Sequence, residues 1–288
     1  MIRKAVIPAA GFGTRFLPAT KSQPKEMLPI VDTPVIQYVV EEAVAAGITD
    51  ILMIIGQGKR AIEEHFDRSF QLENQLHQKH KKAELAEIRR ISELADIHFV
   101  WQKEMKGLGD AIYCARHHVH DEPFVVLLGD TLIDSSEPAA GQLQQVFGQR
   151  QAPIVLIEQI DRSQVSRYGV IDAEQIEPRI YQVKDIIEKP SEREAPSNLV
   201  IAGRYLFTPD IFDYISRTKP AKDGEIQLTE AMRMMVKDHP MYALLLNGKR
   251  CDIGNKEGFI KTNIEFALKR EDMAKNLRRF IKELATRI

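Results

Sequence analysis

The feature that most constrains this chain is the run Phe124-Val125-Val126-Leu127-Leu128, which is apolar at every position and ends on Gly129-Asp130. A strand with one wet face alternates apolar and polar side chains. A run without that alternation needs cover on both faces, as in a parallel sheet with helices on either side. Ala5-Val6-Ile7, closed by Pro8, and Ile51-Leu52-Met53-Ile54-Ile55 repeat the theme, and Ile97-His98-Phe99-Val100-Trp101 supplies a further strand. Between them the apolar residues change period. Thr33 and Pro34 read as an N-cap and first helical residue, and Ile36, Val39, Val40 and Ala43 keep one helical face apolar until Gly47. Helical spacing returns across roughly 59–95, with Leu76, Leu85, Ile88 and Ile91 in phase, and again from Ala111 to Arg116. This alternation predicts a Rossmann-like, doubly wound α/β fold on a mixed, mainly parallel sheet, whose ligands bind beyond the carboxyl ends of the strands.

From about 153 to 208 strand signals dominate, at Ile154 to Ile160, Gly169 to Ile171, Val183 to Ile187 and Leu199 to Phe207. Helices are expected at 209–216, 226–236 and 256–270. A closing amphipathic helix over 271–288 carries Leu277, Phe280, Ile281, Leu284 and Ile288 on one stripe. That stripe fits either docking on its own domain or a contact between copies. No repeat or long Pro/Gly linker divides the chain, so one domain is expected over 1–270.

Lys and Arg total 40 against 41 Asp and Glu, a net charge of -1, so no global field favours nucleic acid or a membrane surface, and any anion site is local. Cys114 and Cys251 form no CxxC or Cys/His pair, which argues against structural zinc or a disulfide framework and for a reducing cytoplasm. The first residues hold too short an apolar stretch for a signal segment, and no run reaches the ~18 apolar residues of a membrane helix.

After the first strand comes Gly11-Phe12-Gly13-Thr14-Arg15. Phe16 stands where a dinucleotide fingerprint needs its third glycine, and the loop lacks the Gly-Lys-Ser/Thr end of a P-loop. Two readings remain open at this point: amides that wrap a phosphate chain beside the planar cation of Arg15, or a plain strand-to-helix turn. Downstream, Pro24 and Pro29 rigidify a stretch that displays Lys21 and Lys25, cations suited to a polyphosphate or simply to solvent.

The ordered set Ala10-Gly11-Phe12-Gly13-Thr14-Arg15, Pro24-Lys25-Glu26-Met27-Leu28-Pro29, Gly107-Leu108-Gly109, Tyr168-Gly169-Val170, Glu188-Lys189-Pro190, Ala202-Gly203-Arg204-Tyr205 and Asp252-Ile253-Gly254 closely resembles the sugar nucleotidyltransferases. The resemblance spans roughly 1–270 and is to the version carried by bacterial-type UDP-glucose pyrophosphorylases. It implies a nucleotide-binding part at about 1–135 and a sugar-binding part at about 150–255. It further implies that Ala10, Gly11, Gln102 and Gly107 hold uracil beside Glu26, with Gly13 and Thr14 in the nucleotide loop. A side-chain amide such as Gln102 can accept from the ring N3–H while donating to a ring carbonyl. Gly169, Glu188, Lys189 and Gly203 are implied for the sugar phosphate, and Asp130 and Asp252 for Mg²⁺, which favours a few carboxylates with phosphate oxygens and water. UTP and glucose 1-phosphate are the implied substrates, UDP-glucose and pyrophosphate the products, in a homo-oligomer (dimer or tetramer).

Two polyanions must then meet, so cations have to be in place first. Arg15 and Lys25 are assigned to the triphosphate and Lys189 to the attacking phosphate. Three positions depart from the family: Asp110 where His is usual, Trp101 where Arg is usual, and Gly129 where Pro is commoner. Asp110 reads as an added negative charge near the triphosphate. The alternatives are a thymidylyl or other-hexose transferase of the same superfamily and a catalytically silent regulatory paralogue.

Overall fold

A computed structural model describes residues 2–251 and 253–287. The chain runs through β1 (Lys4–Ala9), β2 (Pro29–Ile30), β3 (Thr33–Pro34), α1 (Val35–Ala45), β4 (Asp50–Ile55), α2 (Arg60–Phe66), α3 (Phe70–Gln78), α4 (Lys82–Ser92) and β5 (Asp96–Trp101). It continues with α5 (Gly107–Tyr113), α6 (Arg116–Val119), β6 (Phe124–Leu127), β7 (Leu132–Asp134), α7 (Ala139–Arg150) and β8 (Ile154–Gln159). The last part holds β9 (Gly169–Glu177), β10 (Ile180–Glu188), β11 (Leu199–Phe207), α8 (Ile211–Arg217), α9 (Leu228–Asp238), β12 (Tyr242–Leu245), β13 (Lys249–Cys251), α10 (Lys256–Ala267) and α11 (Glu271–Ala285).

One nine-stranded sheet, ordered β5-β4-β1-β6-β11-β8-β12-β10-β9, runs through both the nucleotide part and the sugar part read from sequence. The neighbours β5, β4, β1 and β6 are all parallel. The apolar run of β6 is therefore parallel to β1 on one side, but on the other it meets β11 antiparallel, with Tyr205 opposite Val126. The even apolar run has a simple cause in the pleat. Val125 and Leu127 enter one core with Ile7, Ile51 and Met53, under Ile36, Val40 and Leu143 of α1 and α7. Phe124 and Val126 enter the other, with Val6, Leu52 and Ile54, under Ile112, Ile215 and Met232 of α5, α8 and α9. Each such side chain contributes about 1.5–3 kcal/mol by leaving water.

Several details differ from the sequence reading, among them the strands β7, β12 and β13, which were not expected. Thr33 and Pro34 do not open α1: they pair with Ile30 and Pro29 as a two-stranded ribbon, Pro34 is extended (ψ 142°), and the helix begins at Val35 with no side-chain cap. The helix expected from Ala111 starts at Gly107. α7 was not anticipated. On α11 only Ala274 is buried while Phe280 is 57% exposed, so the apolar stripe lies largely open, and Ile288 falls outside the described residues. Among the described residues no helix is long and apolar enough to cross a membrane.

Candidate active site

The loops after β1, β5 and β6 leave from the same edge of the parallel strands and line a cleft of three adjoining lobes that share Asp130, while the loop after β4 braces the first of them through Lys59. Gly13 makes the first loop possible: its φ is +67°, and a Cβ there would stand 2.9 Å from Lys25 Cβ. Thr20 Oγ1 ties the loop down by donating to Gly13 O at 2.8 Å.

In the first lobe Ala10, Gly11, Gly13, Thr14, Lys25, Glu26, Gln102 and Gly107 form the walls. Gln102 is 4% exposed, and its Nε2 donates to Asp110 Oδ2 at 2.7 Å and to Gly107 O at 3.2 Å. Both amide hydrogens are thus used within the protein, so the two-point reading of a ring by this amide does not hold: only Oε1 is left to face a ligand. Asp110 is correspondingly not a charge aimed at a phosphate chain; it stands behind Gln102. Beneath the loop Glu26, 1% exposed, meets Lys59 Nζ at 2.7 Å, and the same ammonium donates to Gly11 O at 2.6 Å. Burial pushes the Glu26 carboxyl up and the Lys59 ammonium down, and their mutual attraction offsets this only in part.

The middle lobe joins Gly11 to Arg15 with Lys25, Asp130 and Gly254. Lys25 Nζ lies 2.7 Å from Asp130 Oδ2. Burial opposes both charges and is outweighed: Asp130 and then Glu26 hold the Lys25 ammonium above its ordinary value, and Lys25 holds the Asp130 carboxyl below the ordinary aspartate range. Arg15 Nη1 reaches Gly254 O at 3.4 Å.

Arg15 and Asp130 continue into the third lobe, with Gly169, Glu188, Gly203, Arg167, Tyr168 and Arg250. Register places Gly169 opposite Glu188 across β9 and β10. Gly203 sits at the irregularity in β11 with φ +76°, and a Cβ would stand 3.0 Å from Thr131 Oγ1. Lys189, beside it in sequence to Glu188, is exposed, with φ +43° and Nζ 3.3 Å from Glu188 Oε1.

Of the site residues that the family resemblance assigns, all but two line this cleft; Lys21, displayed on the same stretch as Lys25, is exposed and lines none of its lobes. Lys189 flanks it at Glu188, and Asp252 lies outside the described residues. The ribbon of β7 and β13 pairs Leu132 with Cys251. A hard divalent cation fits Asp130: its carboxylate opens on all three lobes and already has a cation, the Lys25 ammonium, against it. The three-ligand cluster of Asp50, His98 and His118 is at the amino-terminal side of β4, away from the cleft.

Sequence reasoning missed Lys59, Arg204 and Arg250. Arg204 is fully buried, bonds Glu42 through Nε at 2.9 Å and Nη2 at 2.7 Å, and donates to Thr131 O at 2.8 Å and Gly203 O at 3.0 Å, fixing the turn that presents Asp130. Arg250 pairs with Glu158 and lies 4.3 Å over the Tyr168 ring. An arginine inside the apolar run Leu199–Phe207, and a lysine after Gly56-Gln57-Gly58 at the same sheet edge, were the available signals.

A mixed sheet whose glycine loops and cations gather at the carboxyl edge of its parallel strands defines a nucleotide-handling enzyme. A match to the nucleotidyl transferase family spans residues 4–268, and the chain belongs to that family. It is 51% identical over 283 residues to the UTP–glucose-1-phosphate uridylyltransferase 2 of Staphylococcus saprophyticus, covering 98% of each chain. Among solved structures it is similar to a UDP-glucose pyrophosphorylase complexed with UDP-glucose (TM-score 0.85, 45% identity, 94% of this chain and 100% of that one). It is also similar to a UTP-bound UGPase from Acinetobacter baumannii (TM-score 0.92, 37% identity, 99% of this chain and 100% of that one).

Proposed function

We propose that this chain transfers a uridylyl group from UTP to glucose 1-phosphate, releasing pyrophosphate and forming UDP-glucose. One observation carries the reading: a single continuous cleft in which a lobe walled by Gln102 and a lobe walled by Glu188 share Asp130. The names of the relatives point the same way, and none of those three is a thymidylyl or silent protein.

In this reading the first lobe takes the base. Gln102 Oε1 accepts from the uracil N3–H, the backbone of Ala10, Gly11 and Gly107 borders the ring, and Gly13 and Thr14 border the ribose and triphosphate. The third lobe takes the hexose against Gly169, Glu188 and Gly203. Two phosphate groups about 4 Å apart repel by roughly 4 kcal/mol per charge pair at an effective dielectric of ~20, so placement of cations decides the rate. Arg15 and Lys25 hold the triphosphate and the departing pyrophosphate; Lys189 swings from Glu188 to the sugar phosphate. When the nucleotide enters, the Lys25 ammonium exchanges the Asp130 carboxylate for phosphate oxygens. Asp130 and Asp252 would hold Mg²⁺, which supplies charge neutralisation at the α-phosphate. No general base is needed, because a phosphate monoester near neutral pH already offers an anionic oxygen for in-line attack on the α-phosphorus.

We read residues 1–270 as one domain on the strength of the continuous sheet, place the reaction in the cytoplasm from the two free thiols, and assign the open stripe of α11 to a contact between copies. The test of function is pyrophosphate release across UTP, dTTP and CTP and a set of sugar 1-phosphates, with and without Mg²⁺. UTP with glucose 1-phosphate and Mg²⁺ is expected to be fastest; preference for dTTP or for another hexose would overturn the reading.

A further inference from the structure

The hydrogen bonds behind the base lobe assign a role to a residue that departs from the family pattern. A glutamine amide can sit either way round, and its two faces ask opposite things of a ligand. Here the choice is forced. Both groups that Gln102 meets inside the protein, the Asp110 carboxylate at 2.7 Å and the Gly107 carbonyl at 3.2 Å, only accept. The amide nitrogen must therefore point inward. Among the described residues no hydrogen bond reaches Gln102 Oε1, and Gln102 lines the first lobe while Asp110 does not.

We propose that Asp110 is a specificity-determining positioning residue, which locks the Gln102 carbonyl toward the ligand and so selects a pyrimidine that carries a hydrogen at N3. Uracil and thymine carry that hydrogen. Cytosine presents a lone pair there, and two acceptors face to face lose a bond while repelling. The Gly107 carbonyl alone is the weaker anchor, being longer and uncharged; bonds to a charged acceptor are about twice as strong as neutral ones. Asp110 sits in the first turn of α5, so the helix holds its carboxylate against the Gln102 amide. The inference rests on the base-binding reading of this lobe given above.

Asp110→Asn is the direct test, since it keeps shape but lets residue 110 donate as well as accept. Initial rates with UTP and CTP, each at saturating glucose 1-phosphate, give the ratio of kcat/KM for the two nucleotides. The variant is expected to lower that ratio about ten-fold or more, through a higher KM for UTP, with the KM for glucose 1-phosphate within about two-fold of the parent. Asp110→Ala, which removes the charged anchor without offering a donor, should loosen selection less. A helix defect alone would shift stability and kcat but not the nucleotide ratio. Gln102→Leu separates the two levels of the argument. Should Gln102→Leu lose selection while Asp110→Asn keeps it, Asp110 does not orient the amide and the inference fails. Should Gln102→Leu keep selection too, the base is read elsewhere and the reading of the lobe fails with it.

Discussion

Lys59→Met is the sharpest test of how the nucleotide loop is held. The substitution keeps the stem and removes the ammonium that lies 2.7 Å from Glu26 and 2.6 Å from Gly11 O. Glu26 is 1% exposed, so water does not replace the lost partner. Removing one member of a buried pair typically costs about 3–5 kcal/mol, because the remaining charge is stranded. The cost should depend on pH. Burial already raises the folded-state pKa of Glu26 above its ordinary 4.5, and loss of Lys59 raises it further. An acid with a raised folded pKa contributes stability in its protonated form; that contribution is complete below the unfolded value and is lost as pH climbs through the folded value. The deficit of the variant relative to the parent should accordingly be smaller at pH 5 than at pH 8, because a protonated Glu26 needs no counter-ion. Urea unfolding of both proteins at the two pH values measures it. A deficit equal at both pH values, or below about 1 kcal/mol at pH 8, would show that the pair is not what holds Glu26.

Three further outcomes follow from the same structure. Arg204→Met strands Glu42 and frees the carbonyl of Thr131, so urea unfolding should reveal a loss of about 3–5 kcal/mol, most of it recovered in Glu42→Leu/Arg204→Met. Asp130→Asn should cut turnover by roughly 10²–10³-fold and raise the Mg²⁺ concentration needed for half-maximal rate, which a metal titration of initial rates reads directly. Lys189→Ala removes an exposed side chain, so the unfolding midpoint should hold while turnover falls; unchanged turnover removes Lys189 from the site.

The positions of the loops were legible in the sequence because each apolar run stops abruptly at glycine or a charge: Pro8 before Gly11, Ile55 before Gly56, Leu128 before Asp130. What lies beside what was less legible. Asp110 looked like a liability because its effect depends on which way Gln102 turns, and that is set by a bond between a strand end and a helix start. Nothing local in the sequence separates Lys59 from a solvated lysine; only packing against Glu26 does. Thr33 and Pro34 satisfied the local rules of a helix start, yet Pro34 also suits an extended pair, and contact with Ile30 and Pro29 decided the matter. Ala140, Leu143 and Phe147 carry the helical period of α7, but glutamines and two glycines among them hid it. β9 and β10 run longer than their apolar cores because polar residues such as Asp172 and Lys184 occupy positions that one open sheet face tolerates.

In the proposed reaction a sugar phosphate oxygen attacks the α-phosphorus of UTP within this cleft. Glucose 1-phosphate labelled with ¹⁸O in its phosphoryl oxygens, turned over with UTP and Mg²⁺, should deliver all of its label to UDP-glucose and none to pyrophosphate by mass spectrometry. Label recovered in pyrophosphate would rule that attack out.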